Sequence, residues 1–301
     1  MIKRPRRVTV VEVGPRDGLQ NERASISTAD KIELVNRLSA AGLPVVEVSA
    51  FVSPKWVPQM ADAEQVFAGI TRRPGTRYTA LVPNVSGLER AQRAAVTEVA
   101  IFAASSETFS RKNINQGIDE SFAAYKAVCE TALAAKMRVR GYLSTAFGCP
   151  YEGDVPAERV AVLAARLLDL GVFEVAVSDT IGIAHPGQVA HVLETVLARV
   201  PADRLALHFH DTRGTALANV LAALEFDVTT FDASAGGLGG CPYAPGAAGN
   251  LATEDLIYML NGLDVATGVS LPALTEASRF IASRLDHPLP SRYLQAMSSQ
   301  K

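Results

Sequence analysis

Eight alternations of strand and helix along 301 residues predict an α/β protein built as a (β/α)8 TIM barrel, with an extra C-terminal helix beyond the repeat. Two observations carry that prediction. Short apolar, β-branched runs alternate with longer stretches of helical periodicity, and no linker or low-complexity segment interrupts them. The side chains suited to chemistry also gather where the runs end, which in a parallel barrel is a single rim.

The elements follow in order. Val8–Val13 reads as a buried strand ended by Gly14-Pro15. Thr28 is the expected N-cap of a helix over Ala29–Ala41, whose Ile32, Leu34, Val35 and Leu38 share a face, and Gly42 stops it. Val45–Val48 is the next strand, with a helix near Val57–Gly69. Further strands are expected at Tyr78–Val82, Glu98–Ala103, Arg138–Ser144, Val172–Val177, Leu205–Phe209 and Thr229–Asp232. Helices are expected at Ser86–Ala95, Ser121–Lys136, Pro156–Leu170, Pro186–Val200, Thr215–Glu225 and Thr253–Leu260, and Pro272–Leu285 lies beyond the repeat. An open doubly wound sheet is the alternative. It would carry a glycine-rich nucleotide loop after the first strand, and Gly14-Pro15-Arg16-Asp17-Gly18 lacks that spacing. One domain over residues 1–301 is therefore expected.

Composition narrows the function. With 48% hydrophobic and 20% charged residues the chain can bury a large core. A net charge of −2 gives no support to a nucleic-acid or membrane-surface role. Lys3-Arg4-Pro5-Arg6-Arg7 is basic, but no signal-length apolar run follows it, and no stretch of about 18 apolar residues suggests a membrane span. Three scattered cysteines, Cys129, Cys149 and Cys241, argue against disulfides or a thiolate zinc site and for a cytoplasmic setting.

The expected rim carries Arg16 and Asp17 after the first strand, Glu47 at the end of the second and Asn84 after the third. Asp179 follows the sixth, His208, His210 and Asp211 end the seventh, and a glycine-rich loop with Cys241 and then Asn250 follows the eighth. Alone, Asp17 or Asp179 reads as a loop or cap residue and His208-Phe209-His210 as two packed polar side chains. Together, alternation puts both imidazoles on one face, and Asp17 and Asn250 supply the missing oxygens of a mixed N/O metal site. Such a site suits Mg²⁺ or Mn²⁺, with zinc less favoured. Arg16 would place positive charge near a developing oxyanion, or pair with Glu47 or Asp179. Cys241, among Gly236, Gly237, Gly239 and Gly240, reads as a buried small residue or as a proton donor carried by a loop that closes on a ligand.

These residues make the chain resemble the 3-hydroxy-3-methylglutaryl-CoA lyases of the DRE-TIM metallolyase group. The resemblance runs from about Val10 to Leu260. Its motifs are Glu12-Val13-Gly14-Pro15-Arg16-Asp17-Gly18-Leu19-Gln20-Asn21-Glu22, Phe51–Met60, Lys112-Asn113-Ile114-Asn115, Gly148–Gly153, Asp179-Thr180-Ile181-Gly182 and the Gly-Cys-Pro-Tyr loop through Asn250. The resemblance implies cleavage of 3-hydroxy-3-methylglutaryl-CoA to acetyl-CoA and acetoacetate. It implies metal binding by Asp17, His208, His210 and Asn250, enolate stabilisation by Arg16, proton transfer and positioning by Glu47 and Asp179, and Cys241 on the loop. The immediate base is left among Asp179, His208 and Glu47. A homodimer is also implied. Arg111 and Lys112, with Asn113, either meet the phosphates of coenzyme A or form a solvated charged loop. Departures from the family pattern occur at Ser178, His185, Arg213-Gly214-Thr215 and Ser234-Ala235-Gly236-Gly237. They leave open a related 3-hydroxyacyl-CoA substrate, such as citramalyl-CoA or a longer-branched 3-hydroxyglutaryl-CoA. A condensing synthase and a non-catalytic acyl-CoA binder are weaker alternatives.

Overall fold

The computed structural model describes residues 5–240 and 249–298. Eight parallel strands close into a barrel in sequence order: β1 (Thr9–Glu12), β2 (Val45–Ala50), β3 (Arg77–Leu81), β4 (Glu98–Ala104), β5 (Arg138–Ser144), β6 (Glu174–Asp179), β7 (Leu205–Phe209) and β8 (Thr230–Ala233). Closure comes from β1 pairing with β8, Val11 opposite Asp232. The helices are α1 (Thr28–Ala40), α2 (Ala63–Gly69), α3 (Val85–Arg93), α4 (Glu107–Ile114), α5 (Ile118–Ala134), α6 (Ala157–Asp169), α7 (Pro186–Val196), α8 (Ala216–Leu224), α9 (Thr253–Gly262), α10 (Leu271–Ala282) and α11 (Arg292–Ser298).

The main apolar core lies between sheet and helices, where Val10, Val46, Val48, Leu207 and Phe231 meet residues such as Leu34, Leu38, Val66, Leu193 and Val220. Val11, Val13 and Val45 form a separate small apolar cluster. Alternation along β1 and β2 sets them on the opposite face from Val10 and Val46, inside the barrel. Much of the remaining interior is ionisable. Arg140 is 2% exposed, and its guanidinium is shared among Glu174, Asp232 and Tyr142. A buried cation persists only with such complete pairing.

Several boundaries differ from the sequence expectation for local reasons. The N-cap of α1 is Ser27, whose hydroxyl accepts from Asp30 N at 3.1 Å, so Thr28 is already helical. Pro58 starts a single tight turn, and α2 begins only at Ala63. Arg111, Lys112 and Asn113 lie on the unanticipated helix α4, capped by Ser106, and not in a loop. Asn84 is the side-chain cap of α3, accepting from Gly87 N at 2.9 Å, which gives it a structural role. Asp179 ends β6 itself. Beyond α10, Asp255 accepts from Ser291 Oγ and the amides of Arg292 and Tyr293, starting α11.

Candidate active site

After β1 the chain makes a wide turn over Gly14–Gly18. The amides of Arg16, Asp17 and Gly18 all converge on Val13 O, at 3.1, 2.7 and 3.2 Å. Such π-type turns recur at functional sites because they re-aim side chains. A Cβ on Gly18 would stand 2.7 Å from Leu238 Cβ, so glycine allows the turn to seat against the segment after β8. Arg16 and Asp17 project from this turn. Arg16 Nε donates to Glu47 Oε2 at 2.5 Å, and Nη1 donates to Asp17 Oδ1 at 2.6 Å. Glu47 is wholly buried. Burial pushes its carboxyl up, and Arg16 only partly offsets that. Of the two partners left open for Arg16 by the sequence, the structure thus selects Glu47.

Much later in the chain, β7 delivers His208, and His210, one residue past the strand's end, follows it, with ring centroids 5.2 Å apart. Nε2 of each ring lies 4.0 Å from Asp17 Oδ2. Asp17, His208 and His210 offer ligand atoms all within 4.8 Å of one another. Asn250 bridges to His210 through the backbone, and its Nδ2 donates to Asp17 Oδ2 and to Leu238 O, both at 3.0 Å. Gly249 makes this approach feasible, because a Cβ there would fall 1.7 Å from Gly239 O.

The donor set suits a divalent cation. Asn250 Oδ1 is buried and has no hydrogen-bond partner among the described residues. An amide oxygen so placed is costly unless a cation uses its lone pairs. Burial, reinforced by His208, pulls His210 down to about 4, which keeps a neutral, ligating imidazole. Burial alone would raise Asp17. Arg16 and the two histidines outweigh it and hold the carboxyl at about 2.

A model of the HMGL-like family matches residues 7–281. The chain belongs to the HMGL-like family. It is 53% identical to the hydroxymethylglutaryl-CoA lyase of Bacillus subtilis, covering 98% of this chain and 99% of that one. It is 52% identical to the 3-hydroxy-3-isohexenylglutaryl-CoA/hydroxymethylglutaryl-CoA lyase of Pseudomonas aeruginosa, covering 97% and 98%. The crystal structure of a hydroxymethylglutaryl-CoA lyase from Pseudomonas aeruginosa superposes with a TM-score of 0.97 at 51% identity, covering 99% of this chain and 100% of that one.

In this HMGL-like chain the other expected residues fall as follows. Asp179 Oδ1 and Oδ2 accept from the amides of Ile183 and Ala184 at 3.0 and 2.9 Å, so its carboxylate organises the turn after β6. Arg111 pairs with Glu107 at 2.8 Å and Glu120 at 3.6 Å, while the Lys112 ammonium sits 4.6 Å from the Tyr151 ring centroid. Cys241 lies outside the described residues. The positions that depart from the family pattern have identifiable local duties. His185 caps α7, Arg213 Nη1 donates to Gly182 O at 2.8 Å, and Ser178 pairs with His208 in register.

Sequence reasoning missed three groups. Asp232 Oδ2 stands 3.2 Å from His208 Nδ1, and Arg140 holds Asp232 from the other side. Glu12 accepts from Gly14 N, Ala235 N and Thr253 Oγ1 at 2.8, 2.8 and 2.7 Å. Glu254 accepts from Gly236 N. The available signal was an ionisable residue set inside an otherwise apolar strand, as in Arg140-Gly141-Tyr142-Leu143 and Thr230-Phe231-Asp232-Ala233.

Proposed function

We propose that this HMGL-like chain is a divalent-metal-dependent carbon–carbon lyase that cleaves 3-hydroxy-3-methylglutaryl-CoA to acetyl-CoA and acetoacetate. The observation that carries this reading is the convergence of Asp17, His208, His210 and Asn250 beside the fixed charge of Arg16. The lyases named above, at 52–53% identity over nearly the whole chain, support the substrate.

Asp17, His208, His210 and Asn250 would hold the ion, with Mg²⁺ or Mn²⁺ suited to the mixed oxygen and nitrogen donors and zinc less so. A bound ion supplies Lewis acidity, polarising the tertiary hydroxyl of the substrate. A base removes the hydroxyl proton, the C2–C3 bond breaks, and C3 becomes the ketone of acetoacetate. The bonding pair passes to C2 and the thioester, and the enolate takes up a proton to give acetyl-CoA. Arg16, locked by Glu47 and Asp17, presents a preorganised positive charge to that enolate. Of the three candidate bases, Asp179 has both oxygens on backbone amides and His208 has one nitrogen against Asp232. Glu47 Oε1 is buried without a partner among the described residues, which favours Glu47. Cys241, which the resemblance assigns to the glycine-rich loop, would serve as a proton donor there.

Coenzyme A would lie against Arg111, Lys112 and Asn113 on α4. Arg111 is already shared with Glu107 and Glu120, which makes Lys112 the stronger phosphate partner. The proposal also includes a single domain over residues 1–301, a homodimer and a cytoplasmic setting. Among the described residues no helix is long and apolar enough to cross a membrane. A second reading, turnover of a longer-branched 3-hydroxyglutaryl thioester, is favoured by the name of the second relative above. The test is incubation of purified protein and Mn²⁺ with the methyl, isohexenyl and citramalyl thioesters. Acetyl-CoA, the product common to all three, released fastest from the methyl substrate supports the first reading, and a preference for the isohexenyl substrate selects the second. No cleavage of any of them overturns both.

A further inference from the structure

A buried chain of charged side chains crosses the barrel interior beneath the candidate metal site. Glu174 Oε1 accepts from Arg140 Nε at 2.8 Å. Arg140 then grips Asp232 with both terminal nitrogens, Nη2 on Oδ1 at 2.8 Å and Nη1 on Oδ2 at 3.1 Å. Asp232 Oδ2 faces His208 Nδ1 at 3.2 Å, and the two residues are register partners on β7 and β8. Arg140 and Asp232 are each 2% exposed. Tyr142 closes the network, its hydroxyl accepting from Arg140 Nη1 at 3.1 Å and its ring meeting His208 edge-on.

We infer that Asp232, clamped by Arg140, is a positioning residue that holds His208 with Nδ1 protonated and the Nε2 lone pair directed at Asp17. The inference rests on the metal-site reading above. An arginine fork fixes both carboxylate oxygens in one plane, which a lysine could not do. The carboxylate has no proton to give, so the imidazole donates from Nδ1, and Nε2, 4.0 Å from Asp17 Oδ2, is left free to ligate. In Asp232→Asn the amide NH₂ must face either Arg140 or His208. Facing His208, in the place of Oδ2, it donates to Nδ1, drives the ring proton to Nε2 and also meets Arg140 Nη1 donor to donor. Facing Arg140, it sets donor against donor and loosens the clamp.

Two measurements test this, and neither needs catalysis. In metal-free wild type at pH 8.5, ¹⁵N-histidine correlation spectra, with His208 assigned by its absence from H208N, are expected to show the Nδ1–H tautomer. An Nε2–H tautomer overturns the inference. Mn²⁺ binding by calorimetry is expected to weaken roughly 10–100-fold in D232N and by less in R140K. A folded D232N that binds Mn²⁺ within about twofold of wild type also overturns it. A merely structural role would lower the melting temperature while leaving tautomer and affinity in place. If D232N does not fold, the wild-type tautomer decides. Absence of Mn²⁺ binding in the wild type would instead refute the metal-site reading, which separates the two failures.

Discussion

Asn250 Nδ2 donates to Asp17 Oδ2 at 3.0 Å, across 233 positions of chain, and thereby joins the turn after β1 to the segment after β8. The same amide leaves Oδ1 buried and unpartnered among the described residues. Replacing Asn250 with Ala removes one proposed ligand and one bond to Asp17. Mn²⁺ affinity is expected to fall at least as far as the roughly 10–100-fold typical of outer partners, with activity falling in parallel. Calorimetry and turnover check this together.

Arg16 serves Glu47 through Nε and Asp17 through Nη1. Lysine can satisfy neither with the same geometry. Arg16→Lys is expected to lose roughly 10²–10³ in kcat, the scale of removing one oxyanion donor, with a smaller change in KM. Arg16→Met strands the buried Glu47 carboxylate and is expected to destabilise by about 3–5 kcal/mol as well, read by denaturant unfolding.

Burial pushes Glu12 up to about 7, against hydrogen bonds that lower it. A carboxyl raised on folding contributes most below its unfolded value and loses that contribution as pH rises through the folded value. The window is therefore about pH 4.5 to 7. Glu12→Gln stays neutral and can still accept from the Gly14 and Ala235 amides while donating to Thr253. Its stability relative to wild type is expected to rise by up to about 3 kcal/mol between pH 5 and pH 8. Equal unfolding differences at both pH values would refute this.

Gly249→Ala puts a Cβ 1.7 Å from Gly239 O and 2.6 Å from Gly237 O, both backbone atoms that cannot move aside cheaply. A loss of about 2–3 kcal/mol is expected. Weaker metal binding should accompany it, because Asn250 is displaced. Gly262→Ala, where a Cβ meets nothing within 4 Å, is the matched control.

The barrel was legible because its outward strand faces are β-branched and its helices are periodic, and because chemistry had to lie at strand ends. That Asp17, His208 and Asn250 would meet at one rim was legible for the same reason. Asp232 and Arg140 were not, since their meaning depends on strand register across the closed barrel, which sequence spacing does not encode. Helix α4 was hidden by Ser110-Arg111-Lys112-Asn113, a polar run that reads as loop until Ser106 caps it. Arg213 and His185 stood out as departures in sequence. In space Arg213 bonds to loop backbone and His185 caps α7, which weakens them as determinants of the acyl chain.

The most direct test of the metal-dependent lyase is a titration. Enzyme stripped with EDTA and desalted is supplied with 3-hydroxy-3-methylglutaryl-CoA and increasing Mg²⁺ or Mn²⁺, and acetyl-CoA and acetoacetate are both quantified. Equal amounts of the two products, rising with bound ion and lost in Asp17→Ala, are predicted. Full cleavage by the stripped enzyme with no bound metal, or no cleavage at saturating ion, would contradict it.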